Sequence, residues 1–195
     1  MTLKKRPAIG VEVAPVGEST LLAAKTIAAH VEGFLGLPSA LLPGLPPPEF
    51  ALDPGRLQYD AGRLIEGYEA WDPGACGKRV CVLAVDLFVP IFSHVLGEAR
   101  LGGKVALVSL NRLGPAVDGR IARADQILLR AVKVAFHELG HLFALTHCAD
   151  PGCLMHFAGD ARGLDGIPMR FCRYCGRFLT EAARPGPQAV PDGRV

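Results

Sequence analysis

The stretch that decides the fold reads His137-Glu138-Leu139-Gly140-His141-Leu142-Phe143-Ala144-Leu145-Thr146-His147-Cys148. It closes a proline-free apolar repeat that predicts a helix over 122–143, the longest regular element of the chain. On a helix, His137 and His141 differ by about 40° around the axis and about 6 Å along it, so both imidazoles can reach one zinc ion. Glu138, beside them, is placed as the general base for the water that zinc activates.

His147 is the candidate third zinc ligand. In an unbroken helix it would lie about 9 Å beyond His141 and point elsewhere, so the helix must end near Ala144 and the chain must turn back. Three neutral imidazoles leave the fourth tetrahedral position open, which distinguishes a catalytic zinc site from a closed structural one. The alternative for His137 and His141 is a pair of core histidines that only form hydrogen bonds.

A second candidate metal site consists of four cysteines, spaced Cys-x4-Cys and Cys-x2-Cys with eighteen residues between the pairs: Cys148, Cys153, Cys172 and Cys175. Two thiolate pairs at these spacings suit a closed, tetrahedral and therefore structural zinc site. Two disulfides are one alternative, and a set of three cysteines and one histidine, in which His156 replaces Cys148, is another. We interpret Cys76 and Cys81 as small apolar residues.

Three further stretches predict strands. Alternation of apolar and polar residues over 9–16 predicts a first strand that is half buried, with Glu12 on its polar side. The β-branched, apolar run over 79–88 predicts a central buried strand. The run Lys104–Leu110, after two glycines, predicts another strand.

The remaining segments of the sequence predict helices, a connector and a C-terminal tail. Ser19 precedes an apolar repeat at three- and four-residue steps that predicts an amphipathic helix. Asp60 is a candidate N-cap of a second, shorter helix. Six prolines over 38–54 predict an irregular connector, because each ring removes a backbone donor. The segment 182–195 has little to bury, and we expect a mobile tail after a domain that covers 1–181.

Composition excludes several classes of protein. Half of the 195 residues are apolar, which excludes intrinsic disorder for most of the chain. The net charge is +2, without a block of one sign, so we expect neither a nucleic acid nor a membrane as partner. A signal peptide is not expected, because Pro7, Gly10 and Glu12 interrupt the segment that would have to be apolar. We expect a cytoplasmic monomer.

The string His137-Glu138-x-x-His141-x-x-Ala144-x-x-His147 resembles the metzincin zinc peptidases, which have glycine where this chain has Ala144. It leads directly into Cys148-x4-Cys153-Leu154-Met155 and is followed by Cys172-x2-Cys175, and this combination resembles the archaemetzincin family. The specific similarity covers 134–175. A weaker similarity includes Asp86–Pro90 and Gly97–Ala99.

The resemblance implies a fold of the α/β (α+β) class. It implies one metzincin-type domain with a small, mixed, twisted sheet, a backing helix and an active-site helix, whose C-terminal part is held by a four-cysteine zinc site. It also implies a zinc metallopeptidase that acts on peptides or proteins and carries two zinc ions. The implied ligands are His137, His141 and His147 for the catalytic zinc and Cys148, Cys153, Cys172 and Cys175 for the structural zinc. In the same pattern Glu138 is the base, and Met155 forms the turn beneath the metal.

Several alternatives stay open at this point. Lys104–Leu110 is either an exposed edge strand that aligns a peptide substrate or an interior strand. His156 and Phe157 follow Met155 and are candidates for shaping a substrate pocket. Endopeptidase and aminopeptidase activities are not separated, although Glu98 and Asp86 are nominal acceptors for a substrate amine.

Two further hypotheses concern the whole protein. A non-catalytic zinc module for protein or nucleic-acid binding would use both metals structurally. A latent enzyme would keep its cleft closed with Cys148 or with the proline-rich segment.

Overall fold

The structure, a computed structural model, describes residues 9–71, 77–114 and 122–184. The strands in these ranges are β1 (Val11–Pro15), β2 (Ser39–Leu41), β3 (Leu52–Asp53), β4 (Gln58–Asp60), β5 (Lys78–Leu83), β6 (Leu87–Val89), β7 (Phe92–Val95), β8 (Gly97–Ala99) and β9 (Val105–Ser109). The α-helices are α1 (Leu21–His30), α2 (Ala61–Ala70), α3 (Ala124–Leu142), α4 (Ala161–Gly166) and α5 (Arg173–Ala182). None of the helices described is long and apolar enough to cross a bilayer.

The main sheet has the strand order β2-β1-β5-β9-β8. Its first four strands are parallel, and β8 runs antiparallel to β9 at one edge. The prediction of a strand within Lys104–Leu110 is confirmed by β9. The edge-strand hypothesis for that segment is wrong, because β9 pairs with β5 on one side and with β8 on the other. Among the residues described, β8 is the outermost strand on this side of the sheet, and β2 is the outermost strand on the other side.

Helices cover both faces of this sheet. In β9, Ala106 and Val108 face the core shared with α1 and α3, whereas Val105 and Leu107 face the core shared with α2. All four side chains are buried, as parallel strands between two helical layers require. The backing helix and the active-site helix of the sequence prediction therefore correspond to α1 and α3, which pack on the same face.

Burial of β1 is more complete than its alternating sequence predicts. All five of its residues are buried, and the carboxylate of Glu12 accepts hydrogen bonds from Arg79 Nη2 (2.7 Å) and Nε (3.1 Å). The Arg79 guanidinium also donates to the carbonyl oxygens of Tyr68 and Trp71 at the end of α2. A buried ion pair thus replaces the solvent-facing side that the sequence predicted for Glu12.

A second small sheet, which was not predicted from the sequence, has the order β3-β4-β6-β7. The expected strand over 79–88 divides into β5 and β6, because β5 ends at Leu83 and the chain bends at Ala84 and Val85. β6 and β7 form an antiparallel hairpin whose two-residue turn is Pro90-Ile91. The expected α/β class is confirmed, and its sheet system is larger than predicted.

Three predicted boundaries can be compared with the structure. Asp60 caps α2, since its Oδ1 accepts a hydrogen bond from the Arg63 amide at 3.1 Å. The helix predicted after Ser19 begins with a 3-10 turn over Glu18–Thr20 and continues as α1. In the predicted tail, Ala183 is buried. The rest of that tail, 185–195, lies outside the described residues, so the domain boundary after 181 stays a prediction.

Helix α3 is joined to α4 by a buried guanidinium. The Arg130 side chain is 1% exposed and donates to both carboxylate oxygens of Asp165, from Nε at 2.9 Å and from Nη2 at 2.6 Å. Next to it, the Lys133 ammonium donates to the Leu164 carbonyl at 2.8 Å. The hydrogen bonds to Asp165 lower the pKa of its carboxyl below the ordinary value, chiefly through Arg130.

We predict that Asp165→Asn lowers the free energy of unfolding by about 2–3 kcal/mol near pH 7, because it removes the charge that compensates buried Arg130. The pKa of Asp165 is lowered in the folded state. The contribution of the pair is therefore complete above about pH 4 and is lost as the pH falls through the folded-state pKa. Urea unfolding at a fixed zinc concentration, at pH 7 and pH 3, measures both effects.

The matched control for this prediction is Asp125→Asn, which breaks the exposed Arg123–Asp125 pair. It should leave the free energy of unfolding nearly unchanged, because an ion pair between exposed side chains contributes little to stability. Equal losses in the two variants would show that the α3–α4 ion pair does not stabilise the fold.

Candidate metal centres

Helix α3 ends in a left-handed turn. Ala144 has φ +67°, a region that an alanine occupies at a cost of about 1–2 kcal/mol. The Ala144 amide donates to the His141 carbonyl at 2.9 Å, and the Leu145 amide donates to the Gly140 carbonyl at 2.9 Å. Together these are the two hydrogen bonds of a Schellman motif. The predicted end of the helix near Ala144 and the reversal of the chain are confirmed.

The reversal brings three imidazoles together, those of His137, His141 and His147. Their ring centroids lie 4.8, 4.9 and 5.2 Å apart. The Nε2 atoms of His137 and His141 are 3.1 Å apart, and one nitrogen from each of the three rings lies within 4.8 Å of the others. One ion can therefore contact all three rings.

Hydrogen bonds to backbone carbonyl oxygens orient two of these rings. His137 Nδ1 lies 2.7 Å from the Leu154 carbonyl oxygen, and His141 Nδ1 lies 2.8 Å from the Leu145 carbonyl oxygen. Because a carbonyl only accepts, each Nδ1 carries the proton and each Nε2 keeps a free lone pair. Burial lowers the pKa of His137 to about 4 and also lowers the pKa of His141. At neutral pH both rings are thus in the uncharged form that binds metal.

Glu138 lies beside the three histidines and lines the same cleft. Its side chain is buried, and burial, together with the nearby charge of Glu98, raises the pKa of Glu138 well above its ordinary value. A carboxylate with a raised pKa is a stronger base than an exposed one, which suits a group that accepts a proton near neutral pH.

The edge strand β8 packs directly on the helix that carries Glu138. A Cβ atom built at Gly97 would lie 2.6 Å from Val134 Cγ1 and 2.8 Å from both Cγ and Oε1 of Glu138. Any side chain at this position would therefore push β8 away from α3. Because of this close approach, the β8 edge of the main sheet lies next to Glu138, the candidate base.

The four predicted cysteines form a second cluster, with their sulfur atoms all within 4.8 Å of one another: Cys148, Cys153, Cys172 and Cys175. None of them is in a disulfide, and the Sγ atoms of Cys148 and Cys172 are 3.9 Å apart, about twice the length of an S–S bond. His156 is not part of this cluster, since its Nδ1 lies 3.0 Å from the Cys148 carbonyl oxygen. Cys81 is buried in β5, and Cys76 lies outside the described residues.

Backbone amides point at the sulfur atoms of this cluster. Cys153 Sγ accepts from the amides of Cys172 (3.3 Å) and Met155 (3.5 Å), and Cys172 Sγ accepts from the Cys175 amide (3.5 Å). The last of these hydrogen bonds is the main reason that the pKa of Cys172 is lowered to about 7. Burial, in contrast, raises the pKa of Cys153 and of Cys175. Amide donors favour the thiolate, the form in which cysteine binds zinc.

The three histidines and Glu138 lie in an open cleft of about 870 Å³, lined by residues from 89–101, 134–147 and 156–164. The proline-rich segment 38–54 contributes none of the lining residues. Of the two nominal amine acceptors, Glu98 lines the cleft, and burial raises its pKa. Asp86 is already paired, because both of its carboxylate oxygens accept from Arg112 at 2.6 Å.

One wall of this cleft was not predicted from the sequence: the β6–β7 hairpin with Ile91 and Phe92. Ile91 is 83% exposed at the turn, and Phe92 is 47% exposed and stacks on Phe157. A Pro-Ile dipeptide between two short apolar runs was the available signal for this hairpin. Strands of three or four residues carry too little periodicity to be recognised without their partners.

Comparison with known proteins places the chain in a family. The sequence profile of peptidase family M54 matches residues 78–181. The archaemetzincin of Methanocaldococcus jannaschii is 33% identical over 141 residues, which are 72% of this chain and 76% of that protein.

Two crystal structures share the fold. The archaemetzincin of Methanopyrus kandleri superposes with a TM-score of 0.78 at 28% identity, over 89% of this chain and 94% of that chain. A zinc-dependent peptidase from Methanocorpusculum labreanum also superposes with a TM-score of 0.78, at 27% identity, over 87% of this chain and 100% of that chain. The resemblance stated from the sequence is confirmed, and a purely non-catalytic zinc module is not supported. The chain belongs to the archaemetzincin family of zinc metallopeptidases.

Proposed function

We propose that this protein hydrolyses peptide bonds at a zinc ion held by His137, His141 and His147, with Glu138 as the general base. The observation that carries the proposal is the convergence of three imidazoles next to a buried carboxylate in an open cleft. The donor set fits zinc, because three nitrogen ligands leave one tetrahedral position for substrate or water. A zinc ion bound there would supply a Lewis acid for the scissile carbonyl and would lower the pKa of water, so that water could be deprotonated for attack at neutral pH.

Glu138 moves the proton in this mechanism. Its raised pKa lets the carboxylate take a proton from the attacking water and hold it until the amine leaves. Burial excludes bulk water from the carboxylate, so the proton passes to the nitrogen of the broken peptide bond instead of being lost to solvent. The charge of the neighbouring Glu98 raises the pKa of Glu138 further and so strengthens its basicity.

The free edge of β8 is the structure that would align the substrate. An extended peptide can add to an open sheet edge through main-chain hydrogen bonds. Gly97, Glu98 and Ala99 all line the cleft, and Gly97 lies against Glu138. A peptide paired with β8 would therefore pass within reach of the base.

The four-cysteine cluster is proposed to hold a second, structural zinc ion. Four sulfur ligands close the coordination shell, so this ion has no position for substrate. Cys148 directly follows His147, and Cys153 precedes Leu154, whose carbonyl accepts from His137. The closed site would thus fix the backbone next to His147 and the carbonyl that orients His137. This role for Cys148 does not support the hypothesis that it blocks the cleft.

The Met155 side chain packs against α3 at Gly140, between His137 and His141 in the sequence. A Cβ atom at Gly140 would collide with Met155 Sδ and lie 3.0 Å from its Cε, so the methionine packs against the bare backbone between His137 and His141. The Met155 carbonyl also accepts from the Cys148 amide at 2.8 Å. We propose that the packing of Met155 against Gly140 keeps the imidazoles of His137 and His141 at the spacing that zinc requires.

Glu138→Ala should abolish cleavage while leaving the zinc content unchanged, because the base is lost and the ligands are kept. We expect kcat/KM on a peptide library to fall by about 10²–10⁴-fold. Native mass spectrometry counts the metal, and product mass spectrometry follows the cleavage. The exposed Glu18→Ala serves as control and should behave like the parent. Cleavage by Glu138→Ala at the parental rate would remove Glu138 from the mechanism.

Cys172→Ser should remove one of two zinc ions and lower the melting temperature markedly. The expected loss of stability is several kcal/mol, since a structural zinc ion contributes roughly 10 kcal/mol or more to folding. As control, Cys81→Ala changes a buried thiol in β5 and should keep both ions. If Cys172→Ser retained two zinc ions and the parental melting temperature, the structural site would be refuted.

Gly140→Ala should weaken zinc binding at the histidines, because the added methyl group displaces Met155. We expect a loss of stability of about 1–3 kcal/mol from overpacking and a higher zinc dissociation constant in a competitive chelator titration. A Cβ atom at Gly33, in the π-helical segment Val31–Leu35 that follows α1, would meet nothing within 4 Å, so Gly33→Ala is the matched control. Identical zinc affinities in these two variants would contradict the role given to Met155.

A further inference from the structure

The wall of the cleft formed by the β6–β7 hairpin is apolar and partly exposed. Phe92 in β7 is 47% exposed, Phe157 is 53% exposed, and both line the cleft that contains Glu138. Ile91, at the turn of the hairpin, is 83% exposed. Exposed apolar side chains that gather at one cleft commonly mark a binding surface for an apolar ligand.

The aromatic contacts reach the candidate zinc ligands. The rings of Phe92 and Phe157 are nearly parallel, with centroids 6.2 Å apart and an interplanar angle of 27°. The Phe157 ring in turn packs edge-on against His147, with centroids 5.4 Å apart. The rings of Phe92 and Phe157 therefore extend from His147, a candidate zinc ligand, and lie close to the position where a peptide bond would be cut.

Hydrogen bonds hold the hairpin in place. The Gln58 side-chain amide donates to the Ser93 carbonyl (2.9 Å) and to the Asp86 carboxylate (2.8 Å). Arg112 holds the same carboxylate through both of its oxygen atoms. Phe92 is thus presented from a fixed backbone, which reduces the entropy lost when a ligand binds against its ring.

We propose that Phe92 is a specificity-determining residue, which together with Phe157 forms a subsite for a bulky apolar or aromatic side chain next to the scissile bond. The inference rests on the proposed peptidase function. A Phe or Leu side chain of the substrate would bury its surface against the two rings. A charged side chain would lose water there without gaining a partner from either ring.

The test uses the zinc-loaded Glu138→Ala protein, which binds peptides without cutting them. The probes are hexapeptides Ala-Ala-Ala-X-Ala-Ala with X as Phe, Leu, Ala or Asp, each with a free and with a blocked N-terminus. Calorimetry gives the dissociation constants. We expect the Phe and Leu peptides to bind at least about tenfold more tightly than the Ala and Asp peptides. Phe92→Ala in the same background should remove this difference, and Phe92→Leu should retain most of it.

Phe50 provides the matched control. It is 45% exposed and makes an edge-on contact with Tyr68, away from the cleft, so Phe50→Ala deletes a similar ring and should leave the preference unchanged. A uniform weakening of all four peptides by Phe92→Ala would indicate a structural role only, and would overturn the proposal.

Two other results would also overturn the subsite. One is an unchanged preference in Phe92→Ala, and the other is the absence of any preference, or of any binding, in the Glu138→Ala background. Failure of the underlying function is recognised separately, because the zinc-loaded parent protein would then cleave none of the peptides in the library.

Discussion

The left-handed backbone at Ala144 is the constraint on which both candidate metal sites depend. Had α3 continued as a helix, His147 would lie about 9 Å further along the axis, and Cys148 would be carried away with it. The reversal is secured by the two hydrogen bonds of the Schellman motif and by the His141 Nδ1 contact with the Leu145 carbonyl. An alanine accepts about 1–2 kcal/mol of backbone strain there, which is small beside the roughly 10 kcal/mol or more that a bound zinc ion contributes.

The two sites are close in sequence, and the segment between them serves both. His147 and Cys148 are adjacent, and the stretch Cys153-Leu154-Met155 supplies in order a thiol, a carbonyl that orients His137, and the side chain packed under Gly140. A closed zinc site at the cysteines would therefore restrain the ligands of an open one. This division would suit a peptidase, because a metal ion at the cysteines would stabilise the backbone while one at the histidines would keep a free coordination position.

The sequence predicted the candidate metal ligands well, because the spacing of these residues along the chain is enough to define which of them can lie together. The four-residue step from His137 to His141, the need for a turn near Ala144, and the pairing of cysteines all follow from helix dimensions and ligand chemistry, and the structure brings these residues together. The edge of the main sheet was not predictable in the same way. Whether Lys104–Leu110 or Gly97–Ala99 lies outermost depends on long-range pairing, which a local pattern does not encode. The Glu12–Arg79 ion pair was missed for the same reason, since the two residues are remote in sequence. The hairpin with Phe92 was missed for a different reason, because its two strands are very short.

Anomalous diffraction at the zinc absorption edge, on crystals of the protein as purified, tests the account most directly. It should show two peaks: one about 2.0–2.1 Å from a nitrogen of each of His137, His141 and His147, and one about 2.3 Å from the sulfur atoms of the four clustered cysteines. The chain between them should turn back at Ala144. A helix that continues through Thr146, or a fourth protein atom that fills the coordination shell at the histidines, would contradict the account.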